Sequence, residues 1–241
     1  MATFVLVHGA MHGGWCWREV RRILSGSGHE VHAPTLTGQG DRRQGLTPQV
    51  GIAAHVADLT ELIWFEDLRD VHLVLHSYAG VLAGPVAEQA AGRVASVTFL
   101  AAFIARPGQS LLDLEPPDVA RRYRELAASA GEGWFVPASP QFLDQWGMTD
   151  GALRAWVGPR LTAFPLRCLT EPVMFDPAGI DGIRKMYVSH TQPPLASLQP
   201  SFDLAVAAGW DTRQLPCGHD LMLAAPAETA ALLEAVARPV R

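Results

Sequence analysis

Cysteine is scarce in this 241-residue chain. Cys16, Cys168 and Cys217 are odd in number and show neither CxxC nor zinc-site spacing, which argues against a disulfide framework and for reduced thiols. Long apolar runs are missing as well. No stretch reaches the roughly 18 residues of a membrane span, and Met1 leads straight into Thr3-Phe4-Val5-Leu6-Val7 without the basic region or cleavage site of a signal peptide. These absences predict a soluble, unexported, cytoplasmic protein with no membrane partner. Blocks of like charge are also absent. Nineteen Lys plus Arg against 24 Asp plus Glu leave a net charge of −5, so nucleic acid is not an expected partner. No GxGxxG opens a helix, no GxxxxGK[ST] occurs, and no two of the nine histidines fall at a metal-ligand spacing with a supporting carboxylate. Neither cofactor nor metal is therefore expected.

What is present is a large apolar fraction. Hydrophobic residues make up 49% of the chain and charged ones 18%, enough for a sizeable core, and the length fits one core carrying an insertion. Short β-branched runs alternate with segments of helical period, the pattern of a parallel sheet covered on both faces. Strands are predicted over Thr3–His8, His29–Pro34, Val71–His76, Val94–Phe103, Lys185–Thr191 and Trp210–Pro216. Ile52, Val56, Leu59, Leu62, Ile63 and Phe65 recur as the apolar side of a crossover helix, with His55, Asp58 and Glu61 on its other side. A last helix is expected from Pro226 to Arg238, with Leu232, Leu233 and Val236 as its buried stripe.

The alternation fails between Ile104 and Ile183, where nine prolines from Pro107 to Pro177 break up short helical pieces. The expected organisation is a core of residues 1–103 and 184–241 with an insertion over 104–183. Trp134, Phe135, Phe142, Trp146, Met148, Trp156, Phe164 and Phe175 lie in the insertion. They form its own small core, or they also roof a pocket.

Three motifs carry chemistry. In Val71-His72-Leu73-Val74-Leu75-His76-Ser77-Tyr78-Ala79-Gly80 an apolar strand runs into a polar residue and then small ones. Such a sharp strand-to-helix turn holds its central residue in a strained conformation and lifts a serine hydroxyl above the sheet edge, which makes Ser77 the candidate nucleophile. Leu215-Pro216-Cys217-Gly218-His219-Asp220 is a strand end followed by a loop histidine, the candidate base. Val5-Leu6-Val7-His8-Gly9-Ala10-Met11-His12-Gly13-Gly14-Trp15 is a glycine loop that lets backbone N–H groups face a developing oxyanion.

Serine first and histidine last is the chain order of α/β-hydrolases. With LVHGAMHGGWCW, HSYAG, LTEP at Leu169 to Pro172, KMYVSHT and CGHDLM, the chain closely resembles the small α/β-hydrolases that group with plant methyl-ester esterases, hydroxynitrile lyases and related bacterial esterases. The resemblance spans nearly the whole length. It implies an α/β-hydrolase fold: a mostly parallel sheet with helices on both faces and the insertion as a helical cap over the active site. It further implies that Ser77 attacks an acyl carbon, that His219 takes and returns the proton, and that the N–H groups of Ala10 and Tyr78 form the oxyanion hole. Where hydroxynitrile lyases have a threonine and a lysine, this chain has Gly9 and Asp220, which disfavours cyanohydrin cleavage. Gly9, His12, Trp15, Trp134, Phe135, Trp146, Trp156 and His190 are the candidate pocket residues.

Two positions depart from the family pattern. The triad acid would follow the strand Met186-Tyr187-Val188-Ser189-His190-Thr191, but its position is Pro193. Gln192 or a backbone carbonyl is left to hold His219, or Asp203 or Asp113 to swing in from a loop. Leu75 stands where the family has glycine and crowds the turn. Of the other histidines, His8 and His12 hold the glycine loop or line the pocket, His76 is structural, and His29, His32, His55 and His72 are surface or packing residues.

The leading expectation is an enzyme hydrolysing an ester, thioester or lactone of a small hydrophobic or aromatic molecule. The alternative keeps the pocket but not the hydrolysis: a lyase, cyclase, decarboxylase or cofactor-independent oxygenase acting on an aromatic or polyketide-like intermediate, with His219 as acid or base. A third reading is a binding protein that has lost turnover. A homodimer is compatible with the sequence, although no feature of it demands one.

Overall fold

The computed structural model describes residues 1–90 and 92–237. Its centre is a six-stranded sheet of β1 (Thr3–Val7), β2 (Glu30–His32), β3 (Val71–His76), β4 (Val94–Leu100), β7 (Arg184–His190) and β8 (Asp211–Leu215), in the order β2-β1-β3-β4-β7-β8. Every neighbouring pair is parallel. All six predicted strands are present, each within a few residues of its expected ends. The apolar runs of the central strands β1, β3 and β4 are continuous because both faces are covered: Phe4 to Val7, Leu73 to Leu75 and Val97 to Leu100 are buried, whereas the edge strands β2 and β8 are polar and largely unburied.

The helices α1 (Arg18–Gly26), α2 (Ile52–Phe65) and α3 (Ala83–Gln89) connect the first strands. The chain runs from β1 out to the edge strand β2, then returns to place β3 on the other side of β1. The carboxyl ends of β1 and β3 thus open side by side at the point where the strand order reverses, the usual place for a ligand crevice in an open α/β sheet.

Two details of α2 differ from the sequence expectation. At about 100° per residue His55 lies within about 60° of Ile52 and next to Val56 and Leu59, so it belongs to the buried stripe. It is fully buried, between the Tyr78 hydroxyl and the Thr37 carbonyl at 2.9 Å each. The same rotation carries Phe65 to the opposite face, where it is 80% exposed.

Residues 104–183 add no strand to the main sheet. They hold α4 (Leu111–Leu114), α5 (Pro117–Ala130), α6 (Gln141–Gln145), α7 (Gly151–Val157), α8 (Arg167–Thr170) and α9 (Ala178–Asp181), with a two-residue antiparallel pair of β5 (Phe135–Val136) and β6 (Phe164–Pro165). Prolines punctuate these pieces, and Pro117 occupies the first turn of α5, where its missing N–H does no harm. After β7 come α10 (Gln199–Ala207), then α11 (Leu221–Ala224) and α12 (Pro226–Ala237) beyond β8. The last helix buries Leu233 and Val236. The expected closing residue, Arg238, lies outside the described residues.

The turn after β3 depends on Gly80, whose missing Cβ lets the 3-10 turn Ser77–Leu82 approach the backbone at Phe103. A Cβ there would overlap the Phe103 carbonyl oxygen and crowd Ala102. Gly80→Ala is expected to lower stability by about 1 to 3 kcal/mol, as overpacking does, read as a fall in the urea midpoint. An unchanged midpoint would show that the turn relaxes freely.

Candidate active site

Ser77 follows β3 directly and has φ = +54°, a left-handed backbone that a non-glycine residue adopts only when its surroundings impose it. The Phe103 N–H donates to the Ser77 carbonyl at 3.1 Å. From the other side, Gly9 lies so close that a Cβ would stand 2.8 Å from both Ser77 Cβ and His76 Nδ1. Leu75 does not prevent this geometry. Its side chain is fully buried within the sheet, in register with Val7 and Phe99.

The loop after β8 returns across the sheet ends to place His219 Nε2 3.0 Å from Ser77 Oγ. Three backbone contacts hold it. The Gln192 N–H donates to Cys217 O at 3.0 Å, the His219 N–H donates to Trp146 O at 2.8 Å, and His76 Nε2 donates to His219 O at 3.0 Å. Gly218 is required here, since a Cβ would sit 2.7 Å from Trp146 O. With Nε2 accepting from the serine, the neutral imidazole carries its proton on Nδ1, and Nδ1 has no partner among the described residues.

The glycine loop after β1 is tied down from several directions. His8 Nδ1 donates to Gly9 O at 2.8 Å while its Nε2 accepts the Leu36 N–H at 3.0 Å, so His8 holds the loop. Gln39 accepts the Met11 N–H at 3.1 Å and donates to Ala163 O at 2.9 Å, and the Thr162 N–H donates to Met11 O at 3.0 Å. Residues 162 and 163 thereby clamp the loop from the inserted segment. Gln39 was not singled out from the sequence, because a glutamine buried as a bridge looks like any loop residue until its partners, 28 and 124 positions away, are known.

Of the candidate pocket residues, His190 and Trp146 flank His219, and His12, Trp15 and Trp156 continue outward from Trp146 as a chain of ring contacts. The His12 ring lies 5.4 Å from Trp15 and 5.1 Å from Trp146, Trp15 packs edge-on to Trp156 at 5.3 Å, and the His219 ring lies 5.0 Å from His190 and 6.3 Å from Trp146. Trp134 and Phe135 do not join them. They pack edge-on against each other at 4.8 Å at the start of β5, with Trp134 Nε1 turned to Glu132. A cleft of about 680 Å³ runs along Trp146, Met148, Leu153, Trp156, Gln192, Cys217, Gly218 and Asp220; neither Ser77 nor His219 is among its lining residues.

The substitutes considered for the triad acid stand elsewhere. Asp113 is exposed and closes a capping box with Ser110, and Asp203 is exposed and accepts from Gln199 Nε2 at 2.7 Å. Pro193 and Gln192 are exposed. The carboxylate near the histidines is Asp220, 2% exposed, with Oδ1 3.5 Å from His12 Nε2 and 3.8 Å from His76 Nε2. The sequence signal for it was the dipeptide His219-Asp220, read only as a departure from the lyase lysine. Among the described residues no group of three His, Cys, Asp or Glu side chains is arranged to hold a metal ion, and no helix is long and apolar enough to cross a membrane.

Burial governs the protonation of this cluster. It pulls His8 down to about 3 and His76 and His190 each to about 4, against the attraction of Asp220 for the latter two. Burial, reinforced by the like charges of His76 and His190, also holds His219 well below its ordinary 6.5. His12 is the exception. Burial lowers it too, but the Asp220 carboxylate and the Ala10 carbonyl, which accepts from Nδ1 at 2.9 Å, outweigh that and raise it. Asp220 is held well below the usual carboxylate range, its burial being more than offset by His12, His76 and His219.

The family model described as "Alpha/beta hydrolase family" matches residues 4–232 of the chain. A carbendazim hydrolyzing esterase from Nocardioides sp. (strain SG-4G) is 32% identical over 98% of this chain and 100% of its own length. Methylesterase 7 from Arabidopsis thaliana is 36% identical over 42% of this chain and 40% of its own. Among solved structures, an extracellular alpha/beta-hydrolase from a Paenibacillus species superposes with a TM-score of 0.88 at 21% identity, covering 99% of this chain and 100% of the other.

His8, His76 and His190 are neutral in the fold, whereas the unfolded chain protonates them near 6.5. The unfolded state therefore binds more protons as pH falls, and the stability that these groups contribute is complete above about 6.5 and lost progressively toward about 4. Each is expected to withdraw about 2 kcal/mol by pH 5; His12 works in the opposite sense, while Asp220 adds its own loss only at still lower pH. Thermal unfolding at pH 7.5 and pH 5 should show a marked drop in Tm at the lower pH. A flat Tm over that interval would contradict the neutral buried state of these rings.

Proposed function

Because the chain belongs to the alpha/beta hydrolase family, we propose that it is a carboxylic-ester hydrolase with Ser77 as nucleophile and His219 as general base. The observation that carries this reading is the 3.0 Å approach of His219 Nε2 to Ser77 Oγ at a left-handed turn. The names of the relatives, an esterase and a methylesterase, support the same reaction class.

In this mechanism Oγ attacks the ester carbonyl carbon and its proton passes to His219 Nε2. The carbonyl oxygen becomes an oxyanion facing the N–H groups of Ala10 and Tyr78, one from the glycine loop and one from the residue after the nucleophile. Collapse of the tetrahedral species breaks the C–O bond, and the leaving alkoxide takes the proton from His219. Water then attacks the acyl-serine, gives its proton to the same nitrogen, and Ser77 Oγ departs with that proton.

Residues 104–183 act in this reading as a cap. Trp146 reaches the base through its carbonyl, and Thr162 and Ala163 reach the glycine loop. The aromatic rings of Trp15, Trp146 and Trp156 around the site suit an ester of a small hydrophobic or aromatic molecule. A reducing, cytoplasmic setting fits Cys16, Cys168 and Cys217, all free.

A short-chain p-nitrophenyl ester should be turned over by the wild type and leave an acyl adduct on Ser77 detectable by intact mass. Ser77→Ala and His219→Ala should each lower kcat by about 10³-fold or more. Because His219 must be neutral to act and lies well below 6.5, the acid limb of kcat/KM should fall below pH 6.5 and the profile should be level from there to pH 8. A folded wild type with neither turnover nor adduct would overturn the esterase reading.

A further inference from the structure

Asp220 is the one buried carboxylate among the described residues. Both of its oxygens lack a hydrogen-bond partner, and its nearest cationic atom, His12 Nε2 at 3.5 Å, is at ion-pair rather than hydrogen-bond distance. The surrounding histidines more than offset its burial and keep it ionised, so a full negative charge stands inside the site with neither oxygen tied up in a hydrogen bond. A buried charge that is kept ionised yet accepts from no fixed partner calls for a use.

The surroundings supply one. His76 from the end of β3, His190 from the end of β7, His12 from the glycine loop and His219 from its own loop all feel the Asp220 charge, as do the thiols of Cys16 and Cys217. No other carboxylate is buried with them. When His219 takes the serine proton, a cation forms inside a buried site whose neighbouring rings can add only positive charge, and Asp220 is the group that opposes it.

We propose that Asp220 is the positioning residue of the Ser77–His219 pair: its carboxylate, on the residue next to the base, supplies the counter-charge for the imidazolium at His219, where the strand-end acid position is Pro193. This rests on the esterase reading. Asp220 acts through space and through its contacts to His12 and His76, not by a hydrogen bond to His219 Nδ1, which is unpartnered. His12 partly neutralises Asp220, so the two side chains pull the potential at His219 in opposite directions.

Two variants test this with signs that a packing role cannot imitate. Asp220→Asn keeps the shape and removes the charge. It should lower kcat by roughly 10- to 1,000-fold with KM within about 3-fold, short of the about 10⁴-fold loss when a directly bonded triad aspartate is disabled. It should also move the acid limb, and the His219 ring titration followed by NMR, down by about one pH unit. His12→Asn leaves Asp220 unneutralised and should move both upward.

The NMR titration needs no substrate, so it decides the role of Asp220 even if the wild type hydrolyses no ester; absent turnover and adduct sink only the esterase reading. If Asp220→Asn does not fold, the direction of the shift in His12→Asn decides alone. A His219 titration that stays put in both folded variants, or moves the same way in both, overturns the proposal.

Discussion

The left-handed backbone at Ser77 is the constraint on which the site depends. A non-glycine residue there costs of order 1 to 3 kcal/mol and persists only when its neighbours over-determine it. Here they do. Gly9 presses from β1, Gly80 lets the following turn settle onto Phe103, and the Phe103 N–H fixes the Ser77 carbonyl. Each of these contacts exists because β1, β3 and β4 are adjacent parallel strands whose carboxyl ends open together. The sheet order is thus the reason that a serine hydroxyl can stand clear of the strand ends.

His219 arrives from farther away, since β8 is separated from β3 by β4 and β7. A loop that crosses such a distance needs fixed points, and it has them in Gln192, Trp146 and His76. One of these belongs to the core edge, one to the inserted segment and one is the residue before Ser77. The inserted segment is therefore tied to both loops: Trp146 holds His219, while Thr162 and, through Gln39, Ala163 hold the glycine loop.

The central strands β1, β3 and β4 were legible in the sequence because each is a short apolar run whose two faces are both buried, and the turn at Ser77 was legible because small residues follow a strand end within a few positions. Chain order supplied His219. What could not be read depends on tertiary neighbours. His55 belongs to the buried stripe of α2, but only the Tyr78 hydroxyl and the Thr37 carbonyl make that place tolerable for an imidazole. Gln39 and Asp220 carry no local pattern at all, being defined by partners distant in the chain. Trp134 and Phe135 illustrate the reverse, since aromatic residues in an inserted segment do not reveal which of them will face His219 and which will pack beside the β5–β6 pair.

A triad acid ordinarily performs two tasks at once: it orients the imidazole by accepting from Nδ1, and it stabilises the imidazolium by its charge. The two tasks have different geometric demands. Orientation needs a hydrogen bond of defined direction, whereas a charge acts in any direction and declines only slowly with distance in a buried site. Around His219 the orienting contacts come from packing and backbone, with the rings of His76, His190 and Trp146 at 4.7, 5.0 and 6.3 Å and the Trp146 carbonyl on its N–H. That leaves only the charge to be supplied, and a carboxylate can supply it from the neighbouring residue as well as from a strand end. Separating the tasks in this way accounts for how Pro193 can stand at the acid position while the serine and the histidine still meet at hydrogen-bond distance.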